Sequence, residues 1–331
     1  MNRSICIRYV LIALLSLLSN CSVNRWATSK LADALTDNRS TVFTGEEDIE
    51  LAAGSLPFVI KLHETLLEHD STNAALLLAT GKLFTVYSQG FVLPGADTAH
   101  GDLKAAELKA VRKRCKKLFL RGREYTMRAI AATHPDWPSP VKASMDSLLR
   151  RATRADTALL YWCASSWLGA IAADRSDLAL GLSVRRPVAM VERILELDSA
   201  FGQGAPHELL CAYYAAAPAS LGGGEKRSRY HLGRACELAA GTRASPMVIF
   251  ATSYCIRAGK RDEFTDLLKQ ALAIDPDAQR SVRLQNMIFR QRAQWYLDHT
   301  GELFPGRGEE SADSLSGSAV DTVGALQLPQ E

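Results

Sequence analysis

The chain has 331 residues, of which 47% are hydrophobic and 23% are charged, so it carries enough apolar material for a sizeable core. A formal net charge of +3 is too small at this length to indicate nucleic-acid binding by itself. The composition is therefore that of an ordinary globular protein, and the length allows one large domain or two small ones.

The first twenty residues have the layout of a secretory signal. Arg3 and Arg8 flank a short positive segment, and the uncharged apolar run Tyr9–Leu18 follows. This run is about half of the roughly 20 residues that a membrane-spanning helix needs, which favours a cleaved signal. It ends in "LSNC", which resembles the lipobox of bacterial lipoproteins, although Asn20 replaces the usual small residue. We expect cleavage after residue 20 and lipid on Cys21, which would tether the body outside the cytoplasm; an ordinary signal with a coincidental cysteine is the alternative.

Beyond this signal, the pattern divides the chain into a tether, a helical body and a tail. Residues 21–50 form the tether and residues 51–304 the body, in which apolar residues recur every three or four positions. The segment Leu56–Asp70 is one such helix. Residues 305–331 lack aromatic residues and are rich in glycine, serine and acidic residues, which predicts a disordered tail.

The helices of the body share a pattern typical of the tetratricopeptide repeat, a helix pair with a period of about 34 residues. Its clearest instance is the second helix and terminus Phe264–Pro276. First-helix versions begin at Leu77, Tyr161 and Met247, with a small residue four positions later that lets the helices approach. The spacing is uneven. We therefore expect an all-α fold of about four degenerate repeats with insertions, above the roughly three that a stacked core requires.

The repeat register predicts a binding face on the first helices, which line the concave surface of such folds. It puts Lys82 and Thr85 on this face in the first unit, and Trp162 and Ser166 in the second. Such a lining would suit an apolar or amphipathic solute. The alternative for Trp162 is that it anchors the core between repeats.

A basic segment, residues 104–128, forms one amphipathic helix with a polar face rich in lysine and arginine. It is either an electropositive surface for an acidic partner or anionic headgroups, or an ordinary solvated helix face, which charge runs often are. The residues of this candidate surface are Arg112, Lys113, Lys116 and Lys117.

Two further segments each have a structural and a functional interpretation. Thr157–Ala173 is an uncharged stretch at the lower length limit for a membrane span, but its small residues favour a buried helix. Gly222–Gly224 resemble a phosphate loop, yet neither the P-loop spacing nor a preceding strand is present. We expect them to provide positive φ values in a turn between helices Leu209–Ala217 and Glu225–Ala239.

The cysteines and histidines show no pattern of a metal centre, a cofactor site or a catalytic site. Five cysteines remain after the signal and Cys21, and their odd number and apolar surroundings predict buried free thiols. The seven histidines lack HExxH or other metal-ligand spacing. No cofactor, metal or catalytic residue is therefore expected. The cysteines are Cys115, Cys163, Cys211, Cys236 and Cys255.

Four phrases together resemble one family, the T-component of TRAP transporters, which are periplasmic lipoproteins with tetratricopeptide-type repeats. The phrases are "LFLRGREYTMRAI", "YWCASSWLGAI", "AAAPASLGGGEKRSRYHLGRACEL" and "NMIFRQRAQWYLDHTGELF". The resemblance implies a non-enzymatic accessory subunit that pairs with the solute-binding subunit, while integral membrane subunits carry the ligand inward. It also implies a homotrimer with a central passage.

From the residues and the resemblance together, we expect a lipid-anchored periplasmic subunit of a TRAP-type transporter. It would bind the solute receptor and, in a groove or pore, a hydrophobic ligand. The alternative is a helical-repeat adaptor for envelope protein assembly that handles no solute.

Overall fold

The computed structural model describes residue 32, residues 41–94, 105–137 and 145–304. This part of the chain is all-helical and contains no strand, which confirms the predicted fold class. The predicted signal (residues 1–20), the predicted lipidation site Cys21 and the predicted tail (residues 305–331) lie outside the described residues. The helices are α1 (Ile49–His69), α2 (Ala74–Tyr87), α3 (Ala105–Thr133), α4 (Met145–Arg151), α5 (Thr157–Ala173), α6 (Leu178–Leu182), α7 (Arg185–Asp198), α8 (Ala205–Ala216), α9 (Glu225–Ala239), α10 (Ser245–Phe250), α11 (Arg261–Ala273), α12 (Arg283–Asp298) and α13 (Thr300–Leu303).

Within the described residues, four consecutive helix pairs pack together: α2 with α3, α5 with α7, α8 with α9, and α10 with α11. The second helix of a pair also contacts the first helix of the next, as α3 does with α5 and α9 with α10. First helices meet across pairs, as α2 does with α5 and α8 with α10. This is the packing of a stacked helical array. The assignment of the four pairs as tetratricopeptide repeats stays a prediction.

The first helix begins earlier than the sequence pattern indicated. The apolar pattern was evident over Leu56–Asp70, whereas α1 starts at Ile49 and continues through Pro57. Asp48 explains the start, because its carboxylate accepts hydrogen bonds from the backbone N–H groups of Glu50 and Leu51. The helical body therefore begins inside the segment that was expected to be tether.

The apolar core divides into two large clusters that share α8. Leu210 and Tyr214 of α8 belong to the cluster built by α2, α3, α5 and α7. Cys211 and Ala215, on the neighbouring face, belong to the cluster of α10, α11 and α12. Helix α8 thus joins the two halves of the array.

The two ends of the described body meet. Ala52 of α1 packs against Leu284 of α12 in a third, small apolar cluster. The backbone N–H of Leu284 donates to the carbonyl oxygen of Thr44 at 2.9 Å, and Arg283 forms an ion pair with Glu47. The array therefore closes on itself between its first and last long helices.

The glycine-rich stretch is a turn, as expected, but its three positions require glycine for different structural reasons. Gly222 and Gly224 have φ values of +79° and +139°, which favour glycine. Gly223 has no positive φ; a Cβ there would lie 1.8 Å from the carbonyl oxygen of Ala217. The expectation of three positive φ values is therefore wrong at Gly223, where close backbone approach is the reason for glycine.

Helix α5 is a buried core helix. Leu160, Cys163, Ala164 and Ala170 each have 0% relative exposure, so four of its side chains lie fully inside the first apolar cluster. Among the described helices, none is both long and apolar enough to cross a membrane. The structural interpretation of this stretch is confirmed.

Candidate ligand and partner surfaces

Helices α2, α3 and α5 cross at a contact made of small residues. A Cβ at Gly81 of α2 would lie 2.5 Å from Cγ2 of Thr126 and 2.8 Å from the carbonyl oxygen of Gly122, both on α3. A Cβ at Gly122 would lie 3.0 Å from Oγ1 of Thr85 and 3.2 Å from Oγ of Ser166. The backbones approach this closely only because neither glycine carries a side chain.

Thr85 and Ser166, two residues of the expected binding face, lie inside this crossing. Their hydroxyl oxygens are 2.6 Å apart, and both side chains have 0% exposure. The Thr85 hydroxyl lies 2.8 Å from the carbonyl oxygen of Gly81, and the Ser166 hydroxyl lies 2.7 Å from that of Trp162. The two hydroxyls therefore bond to each other and to the helix backbones rather than facing solvent.

Lys82 and Trp162, the other two residues of the expected face, also contact each other. The Nζ of Lys82 lies 5.6 Å from the centroid of the Trp162 ring, within the range of a cation–π interaction. Both side chains are half-buried. Burial lowers the pKa of the Lys82 ammonium. The structure thus brings all four residues together, with Lys82 and Trp162 outermost.

Aromatic side chains extend this surface toward the third helix pair. Tyr161 meets Trp162 edge to face, with ring centroids 5.0 Å apart. The Tyr161 ring also lies 5.3 Å from that of Phe201, in the turn before α8. The repeat register predicted that Trp162 lies on this surface. The position of Phe201 beside Tyr161 is seen only in the structure.

A separate cleft lies where the array closes. It has a volume of about 310 Å³ and lies between α1, the π-helical turn after α2 (Ser88–Val92) and α12. Its wall is mainly apolar, with polar side chains at three positions. The lining residues are Ile49, Ala53, Gly90, Phe91, Pro94 and Trp295, together with Glu50, Gln291 and Arg292.

Sequence reasoning missed this cleft. The phrase that contains Trp295 contributed to the family resemblance, but nothing in its local pattern indicated a contact with α1. The Trp295 ring stacks on His299 at 4.0 Å between centroids, which orients it beside the cleft. The closing contact between the ends of the array was the missing information.

The candidate electropositive surface lies on α3, and its four residues have different environments. Lys113 and Lys117 are exposed one helical turn apart, and Arg112 is half-buried. Lys116 bonds to the carboxylates of Asp174 and Asp177, each at 2.7 Å. These hydrogen bonds raise the pKa of Lys116. The two carboxylates neutralise Lys116, so the positive surface reduces mainly to Lys113 and Lys117.

The five cysteines are free thiols, as predicted. Four are buried and Cys236 is half-buried. Burial raises the pKa of Cys163 to about 12, which keeps this thiol protonated and unreactive at neutral pH. The described residues contain no cluster of three or more histidine, cysteine or acidic side chains suited to a metal ion.

Comparisons with known proteins identify the family of this helical body. The family model of the TRAP transporter T-component matches residues 45–304. A protein of Treponema pallidum (strain Nichols), which bears the name "Uncharacterized protein", is 31% identical over 308 residues. The alignment covers 87% of this chain and 94% of that protein. Because the family match spans nearly all of the described helices, the chain belongs to the TRAP transporter T-component family.

Proposed function

We propose that this protein is a lipid-anchored periplasmic accessory subunit of a TRAP-type secondary transporter, where it binds the solute-receptor subunit. The observation that carries the proposal is the family match over residues 45–304, which includes the helical array from α1 to α13. Its work is recognition and positioning without covalent chemistry. The integral membrane permease is an indirect partner.

The amino-terminal signal and Cys21 supply the location in this proposal. Lipid on Cys21 would tether the array to a membrane that borders the periplasm. Diacyl attachment with a further N-acyl chain anchors firmly, whereas one chain alone binds only marginally.

Three surfaces would serve the ligand, the receptor and the homotrimer in this proposal. The apolar cleft between α1 and α12 is large enough for a small hydrophobic molecule. Lys113 and Lys117, exposed on α3, would contact an acidic surface of the receptor. Leu51 and Phe58 of α1 are 59% and 71% exposed, and they would provide apolar contacts in the proposed homotrimer.

Co-purification tests the proposal directly. The tagged full-length protein, solubilised from membranes, is expected to retain a TRAP solute-binding subunit of the same organism at micromolar concentration. The double variant Lys113→Glu, Lys117→Glu should weaken this association, whereas Lys269→Glu, on the exposed face of α11, should not. Recovery of envelope-assembly proteins without the receptor would contradict the transport proposal and support the adaptor alternative.

A further inference from the structure

Lys82 lies at the point where three helices meet. It follows Gly81, whose missing side chain lets α2 and α3 touch, and its ammonium faces Trp162 of α5 at 5.6 Å. The Thr85 and Ser166 hydroxyls beneath it bond to each other and to backbone carbonyls. The helix crossing next to Lys82 is therefore close-packed, and the hydroxyls of Thr85 and Ser166 already have hydrogen-bond partners.

The charge of Lys82 is uncompensated, unlike that of the other half-buried lysines. Within the described part of the chain there are three such lysines: Lys116 pairs with two aspartates at 2.7 Å, and Lys260 pairs with Glu225 at 2.6 Å. Lys82 has no carboxylate or hydrogen-bond partner among the described residues; burial alone shifts its pKa, downward, without an opposing charge. Removing an ammonium from water is costly unless an anion compensates it.

The surroundings of Lys82 are aromatic. Trp162 lies beside the ammonium. The centroid of the Tyr161 ring lies 5.0 Å from that of Trp162 and 5.3 Å from that of Phe201, so the three aromatic rings are in contact. Tyr161 and Trp162 are half-buried, so neither residue is fully enclosed by the protein. An aromatic surface next to one positive charge fits a molecule that has an apolar body and one negative charge.

We propose that Lys82 and Trp162 form a binding subsite for an organic monoanion with an apolar body. The Lys82 ammonium would donate a charge-assisted hydrogen bond to the anionic group, and the apolar body would pack on Trp162 and Tyr161. The subsite is separate from the cleft between α1 and α12. It adds an anionic ligand class to the ligand handling in the proposed function, and it does not depend on the receptor contact.

Calorimetric titration of the full-length protein in detergent tests this subsite with two probes of nearly equal shape. The probes are 3-phenylpropanoate and its neutral amide, 3-phenylpropanamide. Wild-type protein is expected to bind the anion more tightly than the amide. A charge-assisted hydrogen bond contributes enough that Lys82→Met should weaken anion binding by about 10- to 100-fold and leave amide binding unchanged.

Two further variants make the result specific. Lys82→Arg keeps the positive charge and a charged hydrogen-bond donor, so it should retain anion binding within a few-fold of wild type. Lys269→Met removes an exposed lysine on α11 and should change nothing. Equal affinity for both probes, an unchanged affinity in Lys82→Met, or no anion binding at about 10 mM would each overturn the proposal.

Receptor co-purification with Lys82→Met separates this proposal from the previous one. Loss of anion binding with the receptor retained is the expected result. Retention of anion binding by a wild-type protein that captures no receptor would contradict the proposed transporter role and uphold the subsite.

Discussion

The crossing of α2 and α3 makes a quantitative prediction for Gly81→Ala. The added Cβ would lie 2.5 Å from the Thr126 methyl group and 2.8 Å from the carbonyl oxygen of Gly122. Both distances are shorter than normal contacts, and the second involves backbone, so the helices must separate. Overpacking of this kind costs about 1–3 kcal/mol, and we expect the upper end of that range.

A second glycine provides the matched control. Gly233 lies exposed in the interior of α9, and a Cβ there would have no heavy atom within 4 Å. Both substitutions remove glycine from a helix, which stabilises the helix by about 1 kcal/mol. The difference between the two variants therefore isolates the steric cost at Gly81, about 3 kcal/mol.

Urea and thermal unfolding, followed by far-UV circular dichroism, measure this difference. For a domain of this size, about 3 kcal/mol corresponds to roughly 6–12 °C in Tm. Adding Thr126→Ser to Gly81→Ala removes the methyl contact but not the backbone contact, so it should recover only part of the loss. Equal stability of Gly81→Ala and Gly233→Ala would refute the close crossing.

Three further outcomes are expected. Cys21→Ala should release the protein from membranes, and unchanged fractionation would refute anchoring. Deletion of Pro305–Glu331 should leave Tm nearly unchanged, since we expect this segment to contribute no packing; a large drop would contradict that. Burial lowers the pKa of His63 and of His231 to about 4, below the unfolded value of 6.5, so the unfolded chain binds more protons between these values. The free energy of unfolding should therefore fall as the pH drops from 7 toward 4, by about 2 kcal/mol for His63 at pH 5. His231, whose ring pairs with that of His207, should act in the same direction. Equal urea midpoints at pH 7 and pH 5 would contradict this expectation, and His63→Gln should reduce the dependence.

Local features of the fold were predictable from sequence because they depend on neighbouring residues. Helix α9 begins and ends where the pattern indicated, at Glu225 and Ala239. The repeat register also put Lys82 and Trp162 at matching places on the first helices of two units, and the structure brings these two residues into contact. Periodicity reports these relations directly.

Long-range features were not predictable, because no local pattern encodes them. The carboxylates that pair with Lys116 lie 58 and 61 residues after it in the sequence. The basic run around Lys116 therefore could not indicate that its charge is neutralised. Thr85 was expected on an open face, but the glycine crossing buries it. The cleft beside Trp295 depends on the contact between α1 and α12, which are far apart in the sequence.

The contact between α1 and α12 has a consequence for how the molecule unfolds. Open helical arrays fray from their terminal units, because each outermost unit has a neighbour on one side only. Here the terminal helices cover each other, so neither can peel away without also uncovering the opposite end. Hydrogen exchange in these two helices should therefore report one shared opening event in place of two independent ones.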